Sequence, residues 1–168
     1  MESYKRHAIR GNMNTFVIYD SEFGNTEQIA EAISDTLCEF GQVQTVRVQH
    51  THPLGLDGVD LLILGCPTQR WRPTRAMRAL LEYIPAESLS RLEIACFDTR
   101  FDQSSLLTGS AAELMTRKLR KRGASHLLPA ESFFVMGMHG PLKNGELERA
   151  VSWARTLYKK SDVTTPHG

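Results

Sequence analysis

No apolar run among the 168 residues is long enough to cross a bilayer. The longest, such as Leu61 to Leu64 and Phe133 to Met136, fall far short of the ~20 residues a membrane helix needs. Nor does the chain open on a charged segment, an apolar stretch and a small-residue cleavage site, so export by such a signal is not expected. Cysteine is scarce, and Cys38, Cys66 and Cys96 are odd in number, widely spread and set in apolar sequence. That speaks against a disulfide framework and for a reducing, cytoplasmic setting. Charge of one sign is lacking too, since 20 Lys and Arg stand against 19 Asp and Glu. Bulk nucleic-acid binding is therefore not expected. What remains, 41% hydrophobic and 23% charged with 12 Gly and 7 Pro, is the composition of one globular domain.

Residues 1–13 are polar and without period, and are read as a disordered arm or a non-native extension. A single domain is expected over 14–160, followed by a tail at 161–168. Within it, strand-like runs alternate with helical patterns. Thr15 to Tyr19 reads as a buried strand, and Asn25 to Phe40 carries Ile29, Ile33, Leu37 and Phe40 on one helical face. Val43 to Val48 has a wet side at Gln44 and Arg47, the mark of an edge strand. Leu61 to Gly65 and Leu92 to Phe97 are further strands, with Met77, Leu80, Leu81 and Ile84 at helical spacing between them. Ser110 and Glu113 form a capping box before a helix that ends ahead of Gly123. The last strand lies within Leu127 to Met136, and Leu147, Ala150, Val151, Ala154 and Leu157 make the last helix stripe. Five alternations predict an α/β fold, a five-stranded parallel sheet of order 2-1-3-4-5 with helices on both faces.

Sheets of this kind bind ligands beyond the carboxyl ends of their strands, where the strand order reverses. The loop after the first strand, Asp20-Ser21-Glu22-Phe23-Gly24-Asn25-Thr26, opens directly onto a helix. Helix N-terminal amides attract an anion, Ser21, Asn25 and Thr26 add short donors, and Gly24 lets the backbone come close. From Thr15 to Val46 there is no Lys or Arg, whereas Asp20, Glu22, Glu27, Glu31, Asp35 and Glu39 are acidic. A phosphate here would rest on neutral donors and the helix dipole alone. That excludes a P-loop, and the missing Gly-x-Gly-x-x-Gly speaks against a dinucleotide at this position. The alternative is an ordinary helix cap, with Asn25 and Gln28 as a capping pair.

Ser21-Glu22-Phe23-Gly24-Asn25-Thr26 resembles the phosphate loop of flavodoxins, which hold the FMN phosphate with hydroxyls and amides and no basic side chain. The resemblance spans about Asn14 to about Lys160, includes the order of all five strands, and is to the short-chain type. It implies a flavodoxin-like three-layer sandwich with FMN as cofactor. It also implies that Gly65-Cys66-Pro67-Thr68-Gln69-Arg70-Trp71 lines the flavin ring, with Gly65, Pro67 and Thr68 matching the family pattern. Gln69 stands where flavodoxins carry an aromatic, and the nearest indole is Trp71. Trp71 either stacks on the ring or packs as a loop or interface residue. Cys66 is read as a buried spacer rather than a redox thiol.

The loop expected after the fourth strand, Asp98-Thr99-Arg100-Phe101-Asp102-Gln103-Ser104-Ser105, lacks the family's Gly-x-Gly-Asp. Phe101 can serve as the second aromatic, and the alternative is that Asp98 and Thr99 only satisfy a turn. Gly137 to Glu146 is long enough to reach the same rim, with His139 as its only histidine. No residues are expected to bind metal or to act as a catalytic triad.

Arg70, Arg72, Arg75 and Arg78 follow Cys66 without an intervening acid, and Arg100 is expected to join them. At about 7 Å and an effective dielectric of about 20, one such charge is worth roughly 2–3 kcal/mol, on the order of 100 mV for one electron. The flavin is therefore expected to be easier to reduce than in flavodoxins with acidic surroundings. For Arg75 and Arg78 a solvated helix face is the favoured reading. Three functions stay open: an electron carrier between partner proteins, docking on an acidic surface; a small NAD(P)H-dependent FMN or quinone reductase acting on a small-molecule acceptor; and a cofactor-free interaction module.

Overall fold

The computed structural model describes residues 12–164. Its elements in chain order are β1 (Met13–Tyr19), α1 (Asn25–Leu37), β2 (Gly41–Arg47), β3 (Leu61–Pro67), α2 (Arg75–Tyr83), α3 (Ala86–Arg91), β4 (Glu93–Phe101), α4 (Ser105–Thr108), α5 (Ala111–Lys121), β5 (His126–Leu127), β6 (Glu131–Val135) and α6 (Glu146–Thr164). All strand pairs are parallel, in the order β2-β1-β3-β4-β5 with β6 also on β4. This is the expected doubly wound sheet. The central strands read as unbroken apolar runs because helices cover both faces, and Leu61 to Cys66 are buried without alternation.

Side chains on the two faces of the sheet feed two separate cores. One packs Ile18, Leu62, Leu64 and Cys96 against Met77, Leu81 and Met115 of α2 and α5. The other packs Val17, Ile63 and Phe97 against Ile29 and Ile33 of α1 and Ala154 and Leu157 of α6. Phe97, Phe133 and Trp153 meet edge to face with centroids 6.0 Å apart. Gly65 makes room for that cluster, since a Cβ there would sit 2.0 Å from the Phe97 ring.

Several elements depart from expectation. β4 continues to Phe101, so Asp98, Thr99, Arg100 and Phe101 are strand residues paired with β6, not a loop. The last strand is divided, because Pro129 has no N–H to donate and the ladder to β4 stops between β5 and β6. Helix α1 stops at Leu37, and Phe40, expected on its apolar face, instead stacks on Tyr158 at 4.0 Å. In α6 the stripe is filled by Trp153, while Leu147 is exposed. β1 starts at Met13, inside the segment read as an arm, and residues 1–11 lie outside the described residues. α6 runs to Thr164, beyond the expected edge at 160. No helix among the described residues is long and apolar enough to cross a membrane.

Candidate functional site

Beyond the carboxyl ends of β1, β3 and β4 opens a cleft of about 1120 Å³. Thirteen of the fifteen residues singled out in the sequence line it: Ser21, Glu22, Phe23, Asn25, Thr26, Pro67, Thr68, Gln69, Arg70, Trp71, Thr99, Arg100 and Phe101. Gly24 and Asp98 do not. The cleft exceeds the ~300–1,000 Å³ usual for small-molecule sites.

The first loop is shaped by Ser21 and Gly24. Ser21 Oγ accepts from the amides of Gly24 (3.1 Å) and Glu27 (3.4 Å), so Ser21 rather than an Asn25–Gln28 pair ties down the start of α1. Gly24 is the N-cap at φ 88°, a left-handed conformation that glycine adopts at no steric cost. Asn25 and Thr26 are the first helical residues, and their amides have no carbonyl a turn earlier to bond. A cation reaches the loop from outside it: Arg47 on β2 donates to the Ser21 carbonyl at 2.8 Å. In sequence Arg47 marks only the wet side of an edge strand, just past the base-free segment, and β1–β2 pairing brings it to the loop. Thr26 and Thr99 share a buried hydroxyl–hydroxyl bond of 2.8 Å beneath the cleft. At the edge, Tyr19 donates to Glu27 at 2.6 Å, and burial together with that carboxylate pushes the phenol up to about 12. The last loop closes over the first as expected. The His139 ring lies 4.3 Å from that of Phe23, and a Cβ on Gly140 would fall 2.5 Å from Asn25 Oδ1.

The second loop turns back in a two-residue hairpin. Gln69 and Arg72 exchange backbone bonds of 2.8 and 2.9 Å, and Arg70 and Trp71 between them hold φ of 45° and 66°. Both central residues at positive φ follow the type I′ pattern, which glycine or asparagine usually fills. Trp71 is exposed; its indole Nε1 donates to the Leu107 carbonyl at 2.7 Å, and its backbone lies where a Cβ of Gly109 would be. Gln69 Nε2 donates to Glu22 and joins the first two loops. Cys66 is fully buried and burial pushes its thiol far up, so it stays protonated.

Asp98 lies beneath the cleft rather than in it. Its Oδ2 accepts from Thr68 Oγ1 (3.1 Å), Ser110 Oγ (2.7 Å) and the Ala112 amide (3.0 Å), fastening the second loop to the start of α5. Ser110 also accepts from the Glu113 amide, the expected cap. Arg100 lines the cleft, but its charge is already engaged. It lies 3.9 Å from Asp98 Oδ1, bonds Ser132, the Gln103 carbonyl and Thr108, and covers the Phe134 ring at 5.2 Å. It does not join the free arginines. Arg75 and Arg78, read as a solvated helix face, are exposed and also line the cleft with Arg72. The lining of the cleft is thus basic: Arg70, Arg72, Arg75, Arg78 and Arg100 are set against one acid, Glu22. Sequence reasoning missed Leu107, Thr108, Val135 and Met138 on the wall. A signal for the first was at hand, since Leu106-Leu107 had no apolar stripe to join.

These residues fit FMN. The helix start with Ser21, Asn25 and Thr26 offers neutral donors suited to a phosphate, and Trp71 and Phe101 present aromatic surface on the cleft. Several solved structures share the fold. An archaeal flavodoxin superposes with a TM-score of 0.73 at 20% identity, over 89% of this chain and 99% of that one. Flavodoxin 2 of Bacillus cereus gives 0.72 at 22%, over 88% and 99%. The rubredoxin oxygen:oxidoreductase of Desulfovibrio gigas gives 0.72 at 16%, over 95% of this chain but 39% of that one. At these identities the likeness is one of fold. No curated protein matches the chain in sequence. The pattern that defines the flavodoxin family matches residues 17–153, and the chain belongs to that family, whose members bind FMN.

Proposed function

We propose that this FMN-binding redox protein is an electron carrier, taking electrons from one partner protein and delivering them to another. The observation that carries the reading is the rim: Trp71 and Phe101 stand exposed on a cleft built by one small domain. FMN, when bound, supplies the electron-accepting ring. The chain's own residues do the rest. Ser21, Thr26 and the first amides of α1 would hold the phosphate end, Trp71 and Phe101 would offer aromatic surface to the ring, and the Glu22–Gln69 bond joins the two loops beside it. Arg70, Arg72, Arg75 and Arg78 favour added negative charge in the cleft. The same arginines and the volume of the cleft favour a second reading, a reductase that takes hydride from NAD(P)H. The deciding experiment adds NADPH or NADH alone to FMN-loaded protein without air. Flavin colour that persists over minutes supports the carrier, and rapid bleaching assigns the reductase. Colourless protein that leaves added FMN free in gel filtration overturns both.

A further inference from the structure

We propose that Leu106 and Leu107, held by Trp71 and flanked by Arg72, Arg75 and Arg78, form a docking surface for a partner protein with an acidic rim around an apolar centre. The proposal rests on the carrier reading above and names the chemistry of the partner. Helix α4 is one turn long and buries nothing; Leu106 is 91% exposed and Leu107 67%. Apolar side chains so exposed gain free energy only when another surface covers them.

They are also held in place. The Ser104 hydroxyl accepts from the Leu106 amide at 3.3 Å, and Arg100 Nη1 donates to the Gln103 carbonyl at 2.6 Å and to Thr108 Oγ1 at 3.1 Å. The Trp71 indole donates to the Leu107 carbonyl. Arg100 is itself only 12% exposed and paired with fully buried Asp98, so the lip is anchored to β4 rather than left as a loose loop. A pre-ordered aromatic and aliphatic cluster loses little entropy on binding, which is the usual make-up of an interface hot spot.

Charge decides the partner. Among the ion pairs of the described residues none engages Arg72, Arg75 or Arg78. Such a wall attracts an acidic rim and repels a basic one. An apolar lip beside an arginine-lined cleft suits a shaped protein surface better than a flat lipid one.

The test uses the FMN-loaded protein labelled at leucine methyl and indole positions for NMR, with an acidic [2Fe–2S] ferredoxin as probe and basic cytochrome c as counter-probe. Signals of Trp71, Leu106 and Leu107 are expected to shift with ferredoxin, with a Kd that weakens about tenfold or more between about 10 and 200 mM salt. Arg72→Gln, Arg75→Gln and Arg78→Gln together should flatten that salt dependence. Leu106→Ser with Leu107→Ser, both at exposed positions, should weaken binding about tenfold and leave the salt slope intact. Equal or tighter binding of cytochrome c overturns the proposal, as do shifts confined to another face. So do concentration-dependent dimerisation that buries these leucines, and preferential binding to phosphatidylserine vesicles. The NADPH experiment judges the carrier reading separately: a protein that keeps its colour yet leaves Leu106 and Leu107 unmoved overturns the docking surface alone.

Discussion

At the scale of single residues the second loop holds a tension that its chemistry does not need for folding. Arg70 and Trp71 both sit at positive φ, where a side chain costs about 1 kcal/mol or more each. Arg70→Gly is expected to raise stability by a few tenths of a kcal/mol, read as the urea midpoint, the relief of about 1 kcal/mol narrowly exceeding the entropy glycine adds to the unfolded chain. The same site should give the reverse in function: Arg70→Gln lowers the flavin's reduction potential, whereas Arg100, already met by Asp98, has little field left to lend. Tyr19 offers a pH signature. Burial and the Glu27 carboxylate hold it neutral to about 12, while the unfolded chain gives up the same proton near 10.0. Its contribution to stability is therefore complete below about pH 10 and lost between about 10 and 12. Ultraviolet titration should show one tyrosine ionising late, and Tyr19→Phe should remove that step. The residues of the first loop were legible because their chemistry is local: a glycine, short hydroxyls and a helix start within a few positions. Arg47 and the Glu22–Gln69 bond were not, because both depend on partners brought together by the sheet.

Among the elements, β4 does more than the sequence suggests. Its apolar run ends at Phe97, yet pairing with β6 carries it to Phe101, and Asp98 then faces inward with three donors on one oxygen. Polar residues at the end of a buried strand look like a loop unless the hydrogen-bonding partner is known. For the same reason the last strand read as one piece, although Pro129 was visible as the place where the ladder had to part. The alternation of strands and helices, by contrast, followed from period alone. Asp98 fastens Thr68, α5 and Arg100 at once, so Asp98→Ala should cost about 3–5 kcal/mol by leaving a buried guanidinium without its counter-charge. Asp98→Asn, which keeps an acceptor, should cost less. Urea unfolding of the two variants beside the parent measures both, and equal small losses would show that Arg100 finds its charge balance elsewhere.

For the molecule as a whole, one cleft draws on loops after three strands, so a ligand that fills it ties the sheet's carboxyl edge together. FMN at a hundredfold its Kd is expected to add about 2.7 kcal/mol to unfolding. For a chain of this length that is a rise of roughly 5–10 °C in Tm, which thermal melts with and without FMN will show. The charge of the cleft reaches further than its ligand. Five of its lining residues are arginines and one, Glu22, is an acid. Such a field extends about 30 Å into solution at about 0.01 M salt and about 8 Å at physiological salt. Anions of any kind are therefore gathered at the mouth before contact, and more strongly in dilute buffer.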